Sequence, residues 1–121
     1  MVKILVVDDE KDIRLLIRTL LEAEGYDVVN ADCGKAALKE LANDKYDLVL
    51  LDFFMPEMSG RQVMDKMQED SKLKKTKVIF LTVATFSQTG AEELKKCGCL
   101  DYIRKPIDNE DFMKRVKKVL K

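Results

Sequence analysis

Short apolar runs alternate five times with stretches of helical periodicity along this 121-residue chain. Alternation of this kind marks repeated β-α units, whose strands must lie side by side in a parallel sheet. The runs are Lys3-Ile4-Leu5-Val6-Val7, a shorter one around Tyr26 to Asn30, Asp47-Leu48-Val49-Leu50-Leu51, Val78-Ile79-Phe80-Leu81 and Tyr102-Ile103-Arg104. They read as continuous apolar runs, as expected of strands covered by helices on both faces.

Between the runs, apolar residues recur at helical spacing. Ile13, Leu16, Ile17, Leu20 and Leu21 form the first such stripe, with Gly25 as its C-terminal stop. Ala37, Leu38 and Leu41 form the second, and a third helix begins near Ser59-Gly60 and buries Val63, Met64 and Met67. The segment from Ser87 to Lys96 offers little beyond Ala91 and Leu94, and Gly90 costs it about 1 kcal/mol relative to alanine. A fourth helix there is expected to be the most mobile, because packing of an apolar face supplies most helical stability. A fifth starts at Asp108, a good N-cap, and turns Phe112, Val116, Val119 and Leu120 inward. Its other side is basic, with Lys114, Arg115, Lys117, Lys118 and Lys121, and is read as a solvated face suited to the helix dipole.

Composition narrows the class. A hydrophobic fraction of 46% with 36% charged residues describes a globular protein, and 121 residues make one domain, residues 1–121. The 22 basic and 22 acidic residues cancel, so no global field draws nucleic acid or anionic lipid. No apolar run approaches the ~20 residues of a membrane span, and the first residues pass straight into a strand without a cleavage site. The cytoplasm is the expected location. Cys33, Cys97 and Cys99 are an odd count without a paired framework, and no histidine is present to complete a zinc shell. They are read as small buried thiols in a reducing compartment rather than as a metal or redox site.

The chemistry lies where the runs end. The first runs into Asp8-Asp9, the third into Asp52, the fourth ends on Thr82 and the fifth on Lys105-Pro106. Ligands of open α/β sheets bind beyond the carboxyl ends of the strands, where the strand order reverses. Three carboxylates there repel one another and call for a hard divalent cation, and magnesium takes such oxygen ligands together with a phosphate. A carboxylate is also a nucleophile towards phosphorus. Asp52, alone at the end of the central run, is the candidate; Lys105 would offset phosphoryl charge and Thr82 would donate a hydrogen bond. Taken singly each residue has a plainer reading. An acidic pair after a strand is often a cap, and Lys-Pro is often a turn in which Pro106 fixes the backbone. Four such residues at one strand end, in order, favour the site.

With Val6-Val7-Asp8-Asp9-Glu10, Leu51-Asp52, Met55-Pro56, Gly60, Leu81-Thr82, Asp101-Tyr102-Ile103 and Lys105-Pro106, the chain resembles the receiver domains of two-component response regulators over essentially its whole length. The resemblance implies a doubly wound, flavodoxin-like five-stranded parallel sheet of order 2-1-3-4-5. It implies Asp52 as phosphoacceptor, with Asp9, Asp52 and the backbone carbonyl of Phe54 as direct Mg2+ ligands and Asp8 acting mostly through water. Thr82 and Tyr102 correspond to the switch pair, and Lys105 to the phosphate-pairing lysine. The donor would be a phosphohistidine on a sensor histidine kinase or phosphotransfer protein. The output would pass to a protein target through the surface of the fourth helix, fifth strand and fifth helix, from a monomer or a phosphorylation-dependent dimer. Direct nucleic-acid or membrane contact is not expected.

The chain also departs from the family pattern. Phe54 and Ala84 stand where family members tune how fast water reaches the aspartyl phosphate, and Val83 follows Thr82 where Ala or Gly is usual. Thr85 is an alternative switch hydroxyl. Two other functions compete. A magnesium-dependent phosphatase with an aspartyl-phosphate intermediate would need a second carboxylate where Phe54 stands. A flavin carrier would need a Ser-, Thr- and Gly-rich loop where Asp8-Asp9 stands. A receiver catalyses only its own phosphorylation and dephosphorylation, so the expectation is a switch rather than an enzyme.

Overall fold

The structure, a computed structural model, describes residues 1–83, 90, 92 and 95–121. Its strands are β1 (Lys3–Val7), β2 (Asp27–Ala31), β3 (Leu48–Asp52), β4 (Lys77–Thr82) and β5 (Asp101–Arg104). Helices α1 (Lys11–Ala23), α2 (Gly34–Asn43) and α3 (Gly60–Glu69) join the first four, and a C-terminal helix (Asn109–Leu120) follows β5. The strands pair in parallel in the order β2-β1-β3-β4-β5, the order expected from sequence. The expected fourth helix, Ser87 to Lys96, lies largely outside the described residues, as do Ala84 and Thr85.

Strand alternation sorts the apolar residues into two layers. Leu5, Val7, Val49, Leu51, Val78 and Phe80 pack under Ala37, Leu41, Val63, Met64 and Met67 of α2 and α3. Ile4, Val6, Leu48, Leu50, Ile79 and Leu81 pack under Ile17 and Leu21 of α1 and Phe112 and Val116 of the C-terminal helix. Every residue of β3 is buried, which is why its sequence shows no period of two.

The helix ends follow from local chemistry. Gly25 ends α1 with φ of 86°, a left-handed conformation that costs glycine little. Ser59 and Gln62 close a capping box at the start of α3, with the Ser59 Oγ accepting from Gln62 N at 3.2 Å and Gln62 Oε1 accepting from Ser59 N at 2.8 Å. Asp108 caps the C-terminal helix by accepting from Glu110 N at 3.0 Å. Two details differ from the sequence reading. Cys33 is half-buried rather than buried and serves as the N-cap of α2, its Sγ accepting from Ala36 N at 3.4 Å. Arg115 is no part of a purely solvated face: its Nη1 lies 2.9 Å from Asp101 Oδ1 and its Nε 3.0 Å from Asp111 Oδ2. It ties the C-terminal helix to β5.

Candidate functional site

Parallel register carries four strand ends to one place. Val7 pairs with Leu51, Asp52 with Leu81, and Thr82 with Arg104. The residues at these last pairs or just after them therefore emerge along one edge. Backbone bonds continue the ladder into the loops: Asp8 N donates to Ala31 O at 3.2 Å, Phe53 N to Leu81 O and Lys105 N to Thr82 O, both at 2.8 Å. The order of the strands reverses between β1 and β3, so Asp8, Asp9 and Asp52 stand at the switch point.

Four polar side chains there are buried: Asp8, Asp52, Thr82 and Lys105. The Lys105 ammonium lies 2.6 Å from Asp8 Oδ2, 3.4 Å from Asp52 Oδ2 and 3.9 Å from Glu10 Oε1. One lysine thus bridges the ends of β1 and β3. Burial works against its charge, but its contacts with the two carboxylates outweigh burial and raise its pKa. Asp52 experiences the opposite balance. Burial first, and the negative charge of Asp8 second, push its carboxyl up from the usual 3.8 to about 7, with Lys105 pulling the other way. The carboxyls of Asp9 and Asp52 are themselves hydrogen-bonded. Asp52 Oδ1 also accepts from Phe54 N at 3.3 Å.

This donor set fits a divalent cation. Carboxylate oxygens of Asp8, Asp9 and Glu10 lie within 4.8 Å of one another, with Asp8 buried and the other two exposed. Asp8 Oδ2 has an ammonium as its ionic neighbour yet accepts no aligned hydrogen bond. Hard oxygen donors with a lysine ammonium beside them suit magnesium and a phosphate.

Of the residues expected from sequence, Asp8, Asp9, Asp52, Thr82 and Lys105 are brought together. Tyr102 is set back along β5, paired with Phe80 and partly buried against the α2–α3 layer. Phe54 is 54% exposed and its ring meets Phe53 edge-on at 4.9 Å. Val83 is 66% exposed. The sequence reading did not assign site roles to Glu10 or Arg14. Glu10 joins the acidic cluster, and its N–H donates to Asp8 Oδ1 at 2.9 Å. Arg14 Nη1 donates to the Asp8 carbonyl at 2.7 Å, one helical turn on from Glu10. That spacing was the available signal. Gly60 is the other, since a Cβ there would lie 2.2 Å from the Asp52 carbonyl oxygen. A cavity of about 790 Å³ at the opposite end of the sheet, between Leu41–Asp47 and Lys72–Lys77, holds none of this chemistry.

A doubly wound sheet with acids, a hydroxyl and a lysine at its switch point defines a flavodoxin-like domain of the chemotaxis-protein type. The chemotaxis protein CheY4 of Vibrio cholerae superimposes with a TM-score of 0.91 over 98% of both chains at 31% identity. The response regulator TrrA of Thermotoga maritima, solved in complex with Mg2+ and BeF, superimposes with a TM-score of 0.83 at 36% identity over 98% of this chain and 99% of its own. Residues 4–117 match the response regulator receiver domain. Response regulator SaeR of Staphylococcus epidermidis is 40% identical over 99% of this chain and 51% of its own length. The transcriptional regulatory protein SrrA of Staphylococcus aureus is 38% identical over 98% and 48%. The chain belongs to the receiver domain family of two-component response regulators, and it spans about half the length of these curated relatives. Membership of that family implies a phosphorylation switch. No helix among the described residues is long and apolar enough to cross a membrane.

Proposed function

We propose that the chain is a signalling switch that takes a phosphoryl group from a phosphohistidine of a sensor histidine kinase, or of a phosphotransfer protein, onto Asp52. The observation that carries the reading is the Asp52 carboxyl, buried at the end of β3 within 3.4 Å of Lys105 and in contact with Asp9. An Asp52 oxygen attacks phosphorus, the N–P bond of the donor breaks, and the imidazole leaves with the electron pair. Lys105 faces the growing charge on the phosphoryl oxygens, and the buried Thr82 hydroxyl is the donor for one of them. Asp8 holds Lys105 in place. Asp9, Asp52 and the Phe54 carbonyl, with Asp8 through water, would hold Mg2+, which supplies neutralisation of the phosphoryl charge when bound. TrrA was solved with Mg2+ and BeF, which supports the same ligand class here.

Once phosphorylated, Thr82 moves to the phosphoryl group and Tyr102 swings further in, changing the surface of the fourth helix, β5 and the C-terminal helix. That surface meets a protein target in the cytoplasm, or a second copy of the chain. Intact mass spectrometry after treatment with acetyl phosphate and magnesium tests the reading. One added phosphoryl group that persists for minutes and vanishes in Asp52→Asn is expected. An undiminished adduct in that variant would overturn the assignment, and continuous phosphate release would point to a phosphatase.

A further inference from the structure

The segment Cys97-Gly98-Cys99 lies immediately before β5 and outside the carboxylate site. Cys99 is only 4% exposed, and Cys97 is half-buried against the same apolar layer. Between them Gly98 adopts φ of 107°, and its N–H donates to Lys95 O at 3.1 Å. This turn folds the two side chains towards each other, so that the thiols hydrogen-bond. The turn is fixed from both sides. A Cβ at Gly98 would come within 2.6 Å of Gln68 Nε2 and 2.9 Å of Met64 Cε on α3, while Leu100 N donates to Val78 O at 2.8 Å. A disulfide needs Cα atoms about 4.4–6.8 Å apart, just under the ~7 Å span of a fully extended Cys-Gly-Cys segment, and the turn at Gly98 shortens that span.

We propose that Cys97 and Cys99 form a dithiol site that a low-molecular-weight disulfide such as oxidised glutathione converts to an intramolecular disulfide. Cys97, the more accessible thiol, attacks first. Its proton goes to solvent, the reagent's S–S bond breaks and one reduced thiol leaves. Cys99 then loses its proton, attacks the Cys97 sulfur and expels the second reduced thiol. Two electrons pass to the reagent and two thiols of the protein become one disulfide. Burial first, and the neighbouring Cys97 second, push the Cys99 thiol up to about 12, which keeps it from attacking first; only its position beside the Cys97 mixed disulfide lets it complete the second, slower step. Metal binding is the weaker use of the pair, because the nearby Asp101 carboxylate is engaged by Arg115 and the chain has no histidine. The sequence alone suggests separate packing thiols; the turn at Gly98 makes them partners.

Trypsin cuts after Lys96 and Arg104, so both thiols fall in one peptide, Cys97 to Arg104, apart from Cys33. The full chain is incubated with oxidised glutathione, blocked with N-ethylmaleimide, digested and weighed. The expected peptide has lost two hydrogens and carries no alkyl group, and dithiothreitol before blocking restores double alkylation. In Cys99→Ala a glutathione adduct on Cys97 should accumulate instead, whereas Cys97→Ser should stay unmodified at Cys99. Double alkylation of the oxidant-treated parent, or a stable glutathione adduct on it, would overturn the proposal.

Discussion

At the residue scale, the acidic pair divides its labour. Asp8 is fully buried and committed to Lys105 and the Glu10 N–H, whereas Asp9 is exposed with its carboxyl on Asp52. Asp9→Ala should therefore weaken magnesium binding more than Asp8→Ala in a titration, while Asp8→Ala should cost more stability, since it leaves Lys105 with less compensation for its burial. The reverse order of magnesium affinities would show the ligands to be exchanged. Phe54 is the second case. Its ring stands half out of the surface two residues beyond Asp52, edge-on to Phe53. Hydrolysis of an aspartyl phosphate needs water in line with the O–P bond, and a bulky apolar ring can cover that approach. Phosphorylated Phe54→Asn should lose its phosphoryl group faster than the parent at fixed magnesium. Equal decay would leave Phe54 with a packing role only.

At the element scale, the start of α3 is held against the end of β3. Gly60 N donates to Phe53 O at 2.9 Å, and the Cβ of any other residue would press on the Asp52 carbonyl. Backbone cannot move aside as a flexible side chain can, so Gly60→Ala should destabilise the chain by roughly 1–3 kcal/mol in urea denaturation and slow phosphorylation as well. At the C-terminal helix, loss of the Asp108 cap in Asp108→Ala should cost about 1 kcal/mol without touching phosphorylation. Switching belongs to this scale too. Arg115 bonds to Asp101 of β5, so the proposed shift of β5 at Tyr102 would be carried into the C-terminal helix. Hydrogen exchange on adding beryllofluoride with magnesium should change across β5 and that helix; changes confined to α1 and α2 would place the switch elsewhere.

At the scale of the whole molecule, burial of the Asp52 carboxyl beside Asp8 makes the metal-free site a stability liability. The Asp52 carboxyl is raised from 3.8 to about 7, so in the metal-free fold it keeps a proton that the unfolded chain has lost. The favourable contribution of that proton is complete below the unfolded value and is lost as pH rises through the folded one. The stability gained by Asp52→Asn over the parent should thus grow from near pH 4 to near pH 7 and level off above, in denaturation with a chelator present. Added magnesium should shrink that gap by stabilising the ionised parent. A gap independent of pH would mean that Asp52 is ionised throughout.

The strand runs, the helix stripes, the caps at Ser59 and Asp108 and the stop at Gly25 follow from local chemistry, so the sequence by itself determined a five-unit parallel α/β domain. It also determined the composition of the site, because a parallel sheet puts every strand's carboxyl end on one edge and Asp8, Asp9, Asp52, Thr82 and Lys105 are all strand-end residues. What only the tertiary structure decided are contacts between residues remote in the chain. Lys105 chooses Asp8 as its nearer partner, and that choice depends on the register of β1 against β3 and of β4 against β5. Arg115 leaves the basic face for Asp101, fourteen residues away, because the helix is docked beside β5. The turn between the near neighbours Cys97 and Cys99 likewise depends on a remote contact, since Gly98 lies against Gln68 and Met64 of α3. Periodicity along a chain specifies which face a residue occupies; it carries no information on which charge from another element will be waiting there.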